Sequence, residues 1–234
     1  MSNVRTIEVN QSIFAANDHL ADDIRGRLRE NHTFLMNVMA SPGAGKSSVL
    51  LRTIDMLKDR LKIGVMEADI DATVDAEKML AAGVRSIQIH TGGECAMNAS
   101  MTKQALDEFR TDDLDLLFLE NIGNLVCPAE EDVGSSMNME ILSIPEGDDK
   151  PLKYPLMFKN CQAVLVNKCD TLGVFDDFDC DRVKARILER NPDCSVFFLS
   201  ARTGEGFDGW LDWLRASLGA FKTGDMMAPK HYDA

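Results

Sequence analysis

Two rhythms of apolar residues alternate along this 234-residue chain. Short continuous apolar runs sit at 34–40, 62–67, 86–91, 114–120, 140–144, 162–167 and 195–200 and read as strands. Between them, apolar positions recur every three or four residues. These stretches, at about 47–60, 74–82, 98–110, 151–158, 178–190 and 207–219, read as amphipathic helices. In the first of them Leu50, Leu51, Ile54 and Leu57 form the core face. An earlier helix over 10–30 carries Ile13, Phe14, Leu20, Ile24 and Leu28 at near-helical spacing. Runs such as Ala163-Val164-Leu165-Val166 are apolar on both faces, as strands covered by helices on both sides must be. Alternation of this kind predicts βαβ crossovers, and hence an α/β fold with a mostly parallel sheet flanked by helices. The expected division is a helical segment over 1–30, one α/β domain over 31–222, and a polar, aperiodic tail over 223–234 that reads as a frayed end.

The loops between these elements carry the chemistry. Directly after the run 34–40 comes Ser41-Pro42-Gly43-Ala44-Gly45-Lys46-Ser47-Ser48. A strand that enters a glycine-rich loop ending in Gly-Lys-Ser and opening a helix points backbone N–H groups at phosphates. Gly43, Ala44, Gly45 and Ser48 belong to that cradle, Lys46 reaches the β- and γ-phosphates, and the Ser47 hydroxyl binds Mg²⁺. The full pattern has Gly at its first position, where this chain has Ala40. Downstream, Asn167-Lys168-Cys169-Asp170 follows the run 162–167. The Asp170 carboxylate there can accept the N1–H and the exocyclic amine of guanine, an arrangement adenine does not offer. Ser200-Ala201-Arg202 closes the run 195–200, where a guanine-binding loop belongs. Together the motifs imply a phosphate-loop GTPase domain that binds GTP or GDP at the carboxyl ends of parallel strands.

Such a site also needs acids near Mg²⁺. The run 114–120 ends in Leu119-Glu120-Asn121-Ile122-Gly123, the layout of an acid-x-x-Gly switch with Glu120 where Asp is commoner. Glu67-Ala68-Asp69-Ile70-Asp71 offers further acids at the same edge, and Asp75 follows on the next helix. Asp69 and Glu120 are assigned to Mg²⁺, directly or through water, and Asp75 is a further candidate. No arginine finger or water-positioning glutamine is identifiable, so slow intrinsic turnover is expected.

Composition narrows the setting. A net charge of −13 leaves no basic face for a nucleic-acid partner. No apolar stretch approaches the ~20 residues of a membrane span, and residues 1–8 lack the apolar core of a signal peptide. Six cysteines contain no Cys-x-x-Cys pair, so reduced thiols and a cytoplasmic location are expected.

The chain resembles the nickel-inserting GTPases of hydrogenase maturation, the HypB family, over roughly 8–220. The resemblance rests on the phosphate loop, on Asp69 with Asp75-Ala76-Glu77, on Thr91-Gly92 with Cys95, on Glu120-Asn121-Ile122-Gly123-Asn124-Leu125-Val126-Cys127-Pro128-Ala129, on Glu146-Gly147-Asp148-Asp149-Lys150, and on Asn167-Lys168-Cys169-Asp170. It implies a GTP-dependent homodimer that binds a divalent transition metal at its interface, with hydrolysis resetting the cycle. A hydrogenase-maturation partner and a client metalloenzyme are implied as well. Lys153 is implied to approach the partner subunit's guanine. Cys95 and Cys127 are the implied ligands of Ni²⁺ or Zn²⁺, four thiolates surrounding one ion if both subunits contribute. The family's Cys-His-Leu-Asp-Ala is here Cys95-Ala96-Met97-Asn98-Ala99, so the imidazole is missing. Met97 with Met101, and Met137 with Met139, stand at helical and strand spacings and read as packing. His90 reads as structural. Two other readings stay open: a metal-free GTP switch that chaperones another metallo- or cobalamin enzyme, and a kinase or ATPase without guanine selectivity.

Overall fold

The computed structural model describes residues 9–69, 79–175 and 177–226. Seven strands, β1 (Phe34–Ala40), β2 (Ile63–Asp69), β3 (Arg85–His90), β4 (Leu116–Glu120), β5 (Met137–Ser143), β6 (Ala163–Asn167) and β7 (Ser195–Phe198), form one sheet. Its order is β3-β2-β4-β1-β5-β6-β7, and every described pairing is parallel. The helices are α1 (Val9–Glu30), α2 (Lys46–Leu57), α3 (Ala99–Phe109), α4 (Cys127–Glu130), α5 (Lys150–Lys153), α6 (Pro155–Lys159), α7 (Cys180–Arg190) and α8 (Phe207–Thr223). The helix expected over 74–82 falls mostly outside the described residues, as does Asp75.

Both sheet faces are covered, which is why β1, β4 and β6 are apolar throughout or nearly so. On one face Leu50, Ile54 and Leu57 of α2 and Trp210, Leu214 and Leu218 of α8 pack against Phe34, Met36, Phe118, Met139 and Ile141. The Trp210 indole N–H donates to the Thr53 hydroxyl at 3.1 Å, so the largest buried side chain is also polar-satisfied. On the other face α1 and α3 bury Ile24, Leu28, Leu106 and Phe109 against Leu35, Leu117 and Leu119. Beside them Met157, Phe158, Val183 and Ile187 lie over Met39, Leu142, Val164 and Val166. Met97 and Met139 are fully buried in these cores, with Met101 and Met137 packed against them, so all four methionines serve as packing.

The expected elements differ from the observed ones in three instructive places. The stretch 151–158 is two short helices, because Tyr154 precedes Pro155, and a residue before proline is pushed out of the helical region. β5 begins at Met137, earlier than its apolar run, because Asn138 pairs in register with Asn37 of β1 and exchanges a side-chain hydrogen bond with it at 3.1 Å. α4 is a single turn with Pro128 in its first positions, too short to leave a periodic signature.

Candidate functional site

β1 is the switch point of the sheet, with β2–β4 on one side and β5–β7 on the other. The crevice beyond its carboxyl end is where open parallel sheets hold ligands. The loop 41–45 fills that position. Gly43 and Gly45 have φ of +80° and +102°, conformations that L side chains rarely adopt. Gly45 is required twice over, since a Cβ there would stand 2.5 Å from the Asn167 amide nitrogen. Lys46 and Ser47 open α2, whose first N–H groups and dipole face the same crevice.

The acids converge on this end. The Ser47 hydroxyl donates to Glu120 Oε1 at 3.0 Å. Glu120 ends β4, Asp69 ends β2, and both line one cleft with Lys46, Glu67 and Gly123. Gly123 lies against the phosphate loop, where a Cβ would come within 3.2 Å of Pro42 and 3.3 Å of Lys46 Nζ. Glu67 is buried and shares a strand face with Asp69, two residues on. The sequence placed Glu67 at this edge without a role, and period-two spacing from Asp69 is the signal that brings it into the cleft. A hydroxyl beside carboxylates near a phosphate-loop lysine is a donor set that fits Mg²⁺, which prefers oxygen ligands.

The base end is tied to the phosphate end through side chains. Asn167 at the end of β6 donates to the Ala44 carbonyl at 2.9 Å and accepts from the Ala201 N–H at 3.0 Å. Lys168, at a left-handed φ of +64°, donates to the Gly43 carbonyl at 2.7 Å. Asp170 accepts from the Ser200 hydroxyl at 2.5 Å, and Arg202 stands 3.7 Å from its other oxygen. Gly45, Ser48, Asn167, Lys168, Asp170 and Ala201 line one recess beside the phosphate loop. Cys169, beside Asp170, is half-buried, and that burial pushes its thiol up to about 11. Lys153 is exposed on α5 and paired with Asp149, a hydrogen bond that raises its pKa.

Cys95, in the loop after β3, and Cys127, the first residue of α4, meet across the neighbouring face. Their Cα atoms are 6.1 Å apart and their sulfurs are in contact. Cys161, Cys169, Cys180 and Cys194 stand apart from this pair as free thiols. Two sulfurs held this close can serve as a pair of thiolate ligands when reduced and can form a disulfide when oxidised. Asn124 donates to Cys127 Sγ at 3.2 Å. Ala96 is buried. Among the described residues no three His, Cys, Asp or Glu side chains are grouped to hold a metal ion. His90 sits exposed at the end of β3. No described helix is long and apolar enough to cross a membrane.

A family model for the nucleotide-binding domain of CobW, HypB and UreG matches residues 34–198. The hydrogenase maturation factor HypB of Azotobacter vinelandii is 43% identical over 221 residues, 94% of this chain and 72% of that protein. The chain belongs to the HypB family. HypB of Escherichia coli K12 is 40% identical over 92% of this chain and 73% of its own length. The solved structure of HypB from Helicobacter pylori in complex with nickel superposes with a TM-score of 0.83 at 33% identity, covering 92% of this chain and 99% of that one. The segments that bear Cys95 and Cys127 lie within the matched nucleotide-binding domain.

Proposed function

We propose that this HypB-family chain is a GTPase whose cycle controls binding and delivery of nickel, or zinc, during hydrogenase maturation. The observation that carries the reading is the path from Ser47 to Glu120 at 3.0 Å and on to Cys127 within eight positions, 120 to 127 inclusive. A segment that responds to the γ-phosphate at one end carries a sulfur at the other.

In this reading the loop N–H groups and Lys46 hold the β- and γ-phosphates and stabilise the charge that develops there. Ser47, Asp69 and Glu120 would hold Mg²⁺, which would supply neutralisation of the charge developing on the phosphates. Asp170 accepts from the guanine N1–H and exocyclic amine, a charge-assisted pair. Hydrolysis releases Glu120 and Gly123 from their phosphate-bound arrangement. Two sulfurs per subunit are too few for a closed site, so two reduced subunits, each supplying Cys95 and Cys127, enclose one ion of the metal cargo. Lys153 reaches the partner's guanine. The partners are a second copy, a hydrogenase-maturation protein and the client enzyme, in a reducing cytoplasm. The missing imidazole at Ala96 favours one rival, a metal-free GTP switch.

The test is a titration of Ni²⁺ and Zn²⁺ into reduced wild type, Cys95→Ser and Cys127→Ser, each with GDP and with a non-hydrolysable GTP analogue. One ion per dimer, tighter with the analogue and lost in both variants, is expected. Metal binding that survives either substitution, or that ignores the nucleotide, sinks the reading. A parallel Asp170→Asn variant should lose about 100-fold in GTP affinity and gain xanthosine triphosphate.

A further inference from the structure

Three asparagines lie buried across the apolar sheet face beneath the sulfur pair: Asn121 just past β4, Asn37 in β1 and Asn138 in β5. Facing amides on central strands are costly unless their hydrogen bonds are made. Here they form one directed chain. The Met97 N–H donates to Asn121 Oδ1 at 3.1 Å. Asn121 Nδ2 donates to Asn37 Oδ1 at 3.1 Å, and Asn37 Nδ2 donates to Asn138 Oδ1 at 3.1 Å. Asn138 Nδ2 donates to the Asn160 carbonyl at 3.1 Å, and Asn160 Nδ2 donates to the Ala129 carbonyl at 2.9 Å.

The two ends of this chain are placed alike. Met97 is two residues after Cys95, and Ala129 is two residues after Cys127. Between them the chain passes through the residue after Glu120 and through β1, the strand that becomes the phosphate loop. The Asn121 N–H also donates to the Val38 carbonyl at 2.9 Å, so it cannot move without disturbing β1. Asn121 Oδ1 takes a second donor, the Ile122 N–H at 2.9 Å, and Asn138 Oδ1 takes the Ser135 hydroxyl at 2.9 Å. Two of the three relay side-chain oxygens, those of Asn121 and Asn138, thus have two donors apiece.

We propose that Asn121, Asn37, Asn138 and Asn160 are positioning residues that set the separation of Cys95 and Cys127 and make it depend on the nucleotide. The proposal rests on the GTPase reading for its input, but its output is the distance between two sulfurs, with or without a metal. A network that merely specified strand register would hold the fold together and leave the sulfur separation indifferent to the nucleotide.

The experiment uses the full chain in a glutathione redox buffer. Two protein thiols and one glutathione disulfide give the Cys95–Cys127 disulfide and two glutathione thiols, and peptide mapping by mass spectrometry measures the equilibrium. Wild type is expected to differ at least about fivefold in this equilibrium between GDP and a non-hydrolysable GTP analogue, a coupling of ordinary allosteric size. Asn37→Ala and Asn160→Ala should compress the ratio below about twofold while still binding both nucleotides. Thr33→Val is the structural control: Thr33 is buried, and its hydroxyl donates to the Thr111 carbonyl at 2.7 Å, outside the relay. It should keep the wild-type ratio. If Asn37→Ala fails to fold, Asn160→Ala, at the half-buried last link, decides alone. Relay variants that keep the full ratio, a control that loses it equally, or a wild type with a ratio of one overturns the proposal. A reduced wild type that binds no Ni²⁺ yet shows the expected ratios removes the metal-delivery reading and leaves the relay standing.

Discussion

The nucleotide crevice and the sulfur face are neighbours built on opposite plans. The crevice is held by contacts among its own loops: Asn167 on Ala44, Lys168 on Gly43, Ser47 on Glu120. The sulfur face borrows its geometry from elsewhere. Asn17 of α1 donates to the Asp132 carbonyl at 2.8 Å and accepts from the Ala99 N–H at 3.0 Å, so one side chain bridges the two cysteine segments. Arg25, also on α1, grips both Asp132 oxygens at 2.5 and 2.6 Å and takes the Ser135 carbonyl at 3.1 Å. The contrast teaches where each site is vulnerable. The crevice fails through its own glycines and motif residues, whereas the sulfur face fails through residues remote in sequence that touch no sulfur.

The largest expected effect breaks the borrowed support. Arg25 and Asp132 are both buried, and removing Asp132 leaves the Arg25 guanidinium with only the exposed Asp22 carboxylate and the Ser135 carbonyl. Asp132→Ala should therefore cost about 3–5 kcal/mol in chemical denaturation. At temperatures where the variant stays folded, Cys95–Cys127 pairing should weaken more than nucleotide affinity. Equal losses would erase the distinction between the two regions.

Next comes a break confined to the crevice. Gly45→Ala places a methyl group against the Asn167 amide at a left-handed φ. It should reduce nucleotide affinity by about 100-fold, equivalent to about 2.7 kcal/mol. The Cys95–Cys127 disulfide should form as in wild type. Isothermal titration and thiol mapping on the same sample check both halves.

The smallest effect sharpens the boundary between the regions. Glu140 of β5 is fully buried with neither carboxyl oxygen hydrogen-bonded, and burial raises its pKa well above the ordinary carboxylate value, with Glu146 adding to the rise. An acid whose folded pKa is raised binds more protons folded than unfolded once pH exceeds its unfolded value of 4.5. Stability should then fall as pH rises from that value toward the folded pKa, by up to about 1.4 kcal/mol per pH unit. Glu140→Gln should remove the slope, so wild type and variant should diverge in denaturation midpoints measured from pH 4 upward. Parallel profiles would mean that this acid finds a partner in solution.

What could be read from the sequence follows the same division. Strand positions and the crevice residues were legible because each rests on local pattern: an apolar run, a glycine that needs positive φ, a carboxylate at a strand end. β5 was placed short because its first polar residue, Asn138, is buried by pairing with Asn37, a contact 101 positions away that no local periodicity displays. Asn17, Arg25 and the asparagine chain were missed for that reason. The cysteines were found through family resemblance; their convergence is a property of the fold, since Cys95 and Cys127 lie 32 positions apart on separate segments.

The hydrogen bond from Asn167 to Ala44 also has a consequence for synthesis. It joins positions 123 apart, so the phosphate loop is not finished when the ribosome has made it. A nascent chain that ends before β6 has β5 paired with β1 on one side and bare on the side awaiting β6, an open edge available to other chains. The recess lined by Asn167, Asp170 and Ala201 is complete only after the last third of the polypeptide arrives. Nucleotide thereafter favours the completed molecule over every shorter or partly folded form by mass action, so the bound ligand acts as a certificate of completion.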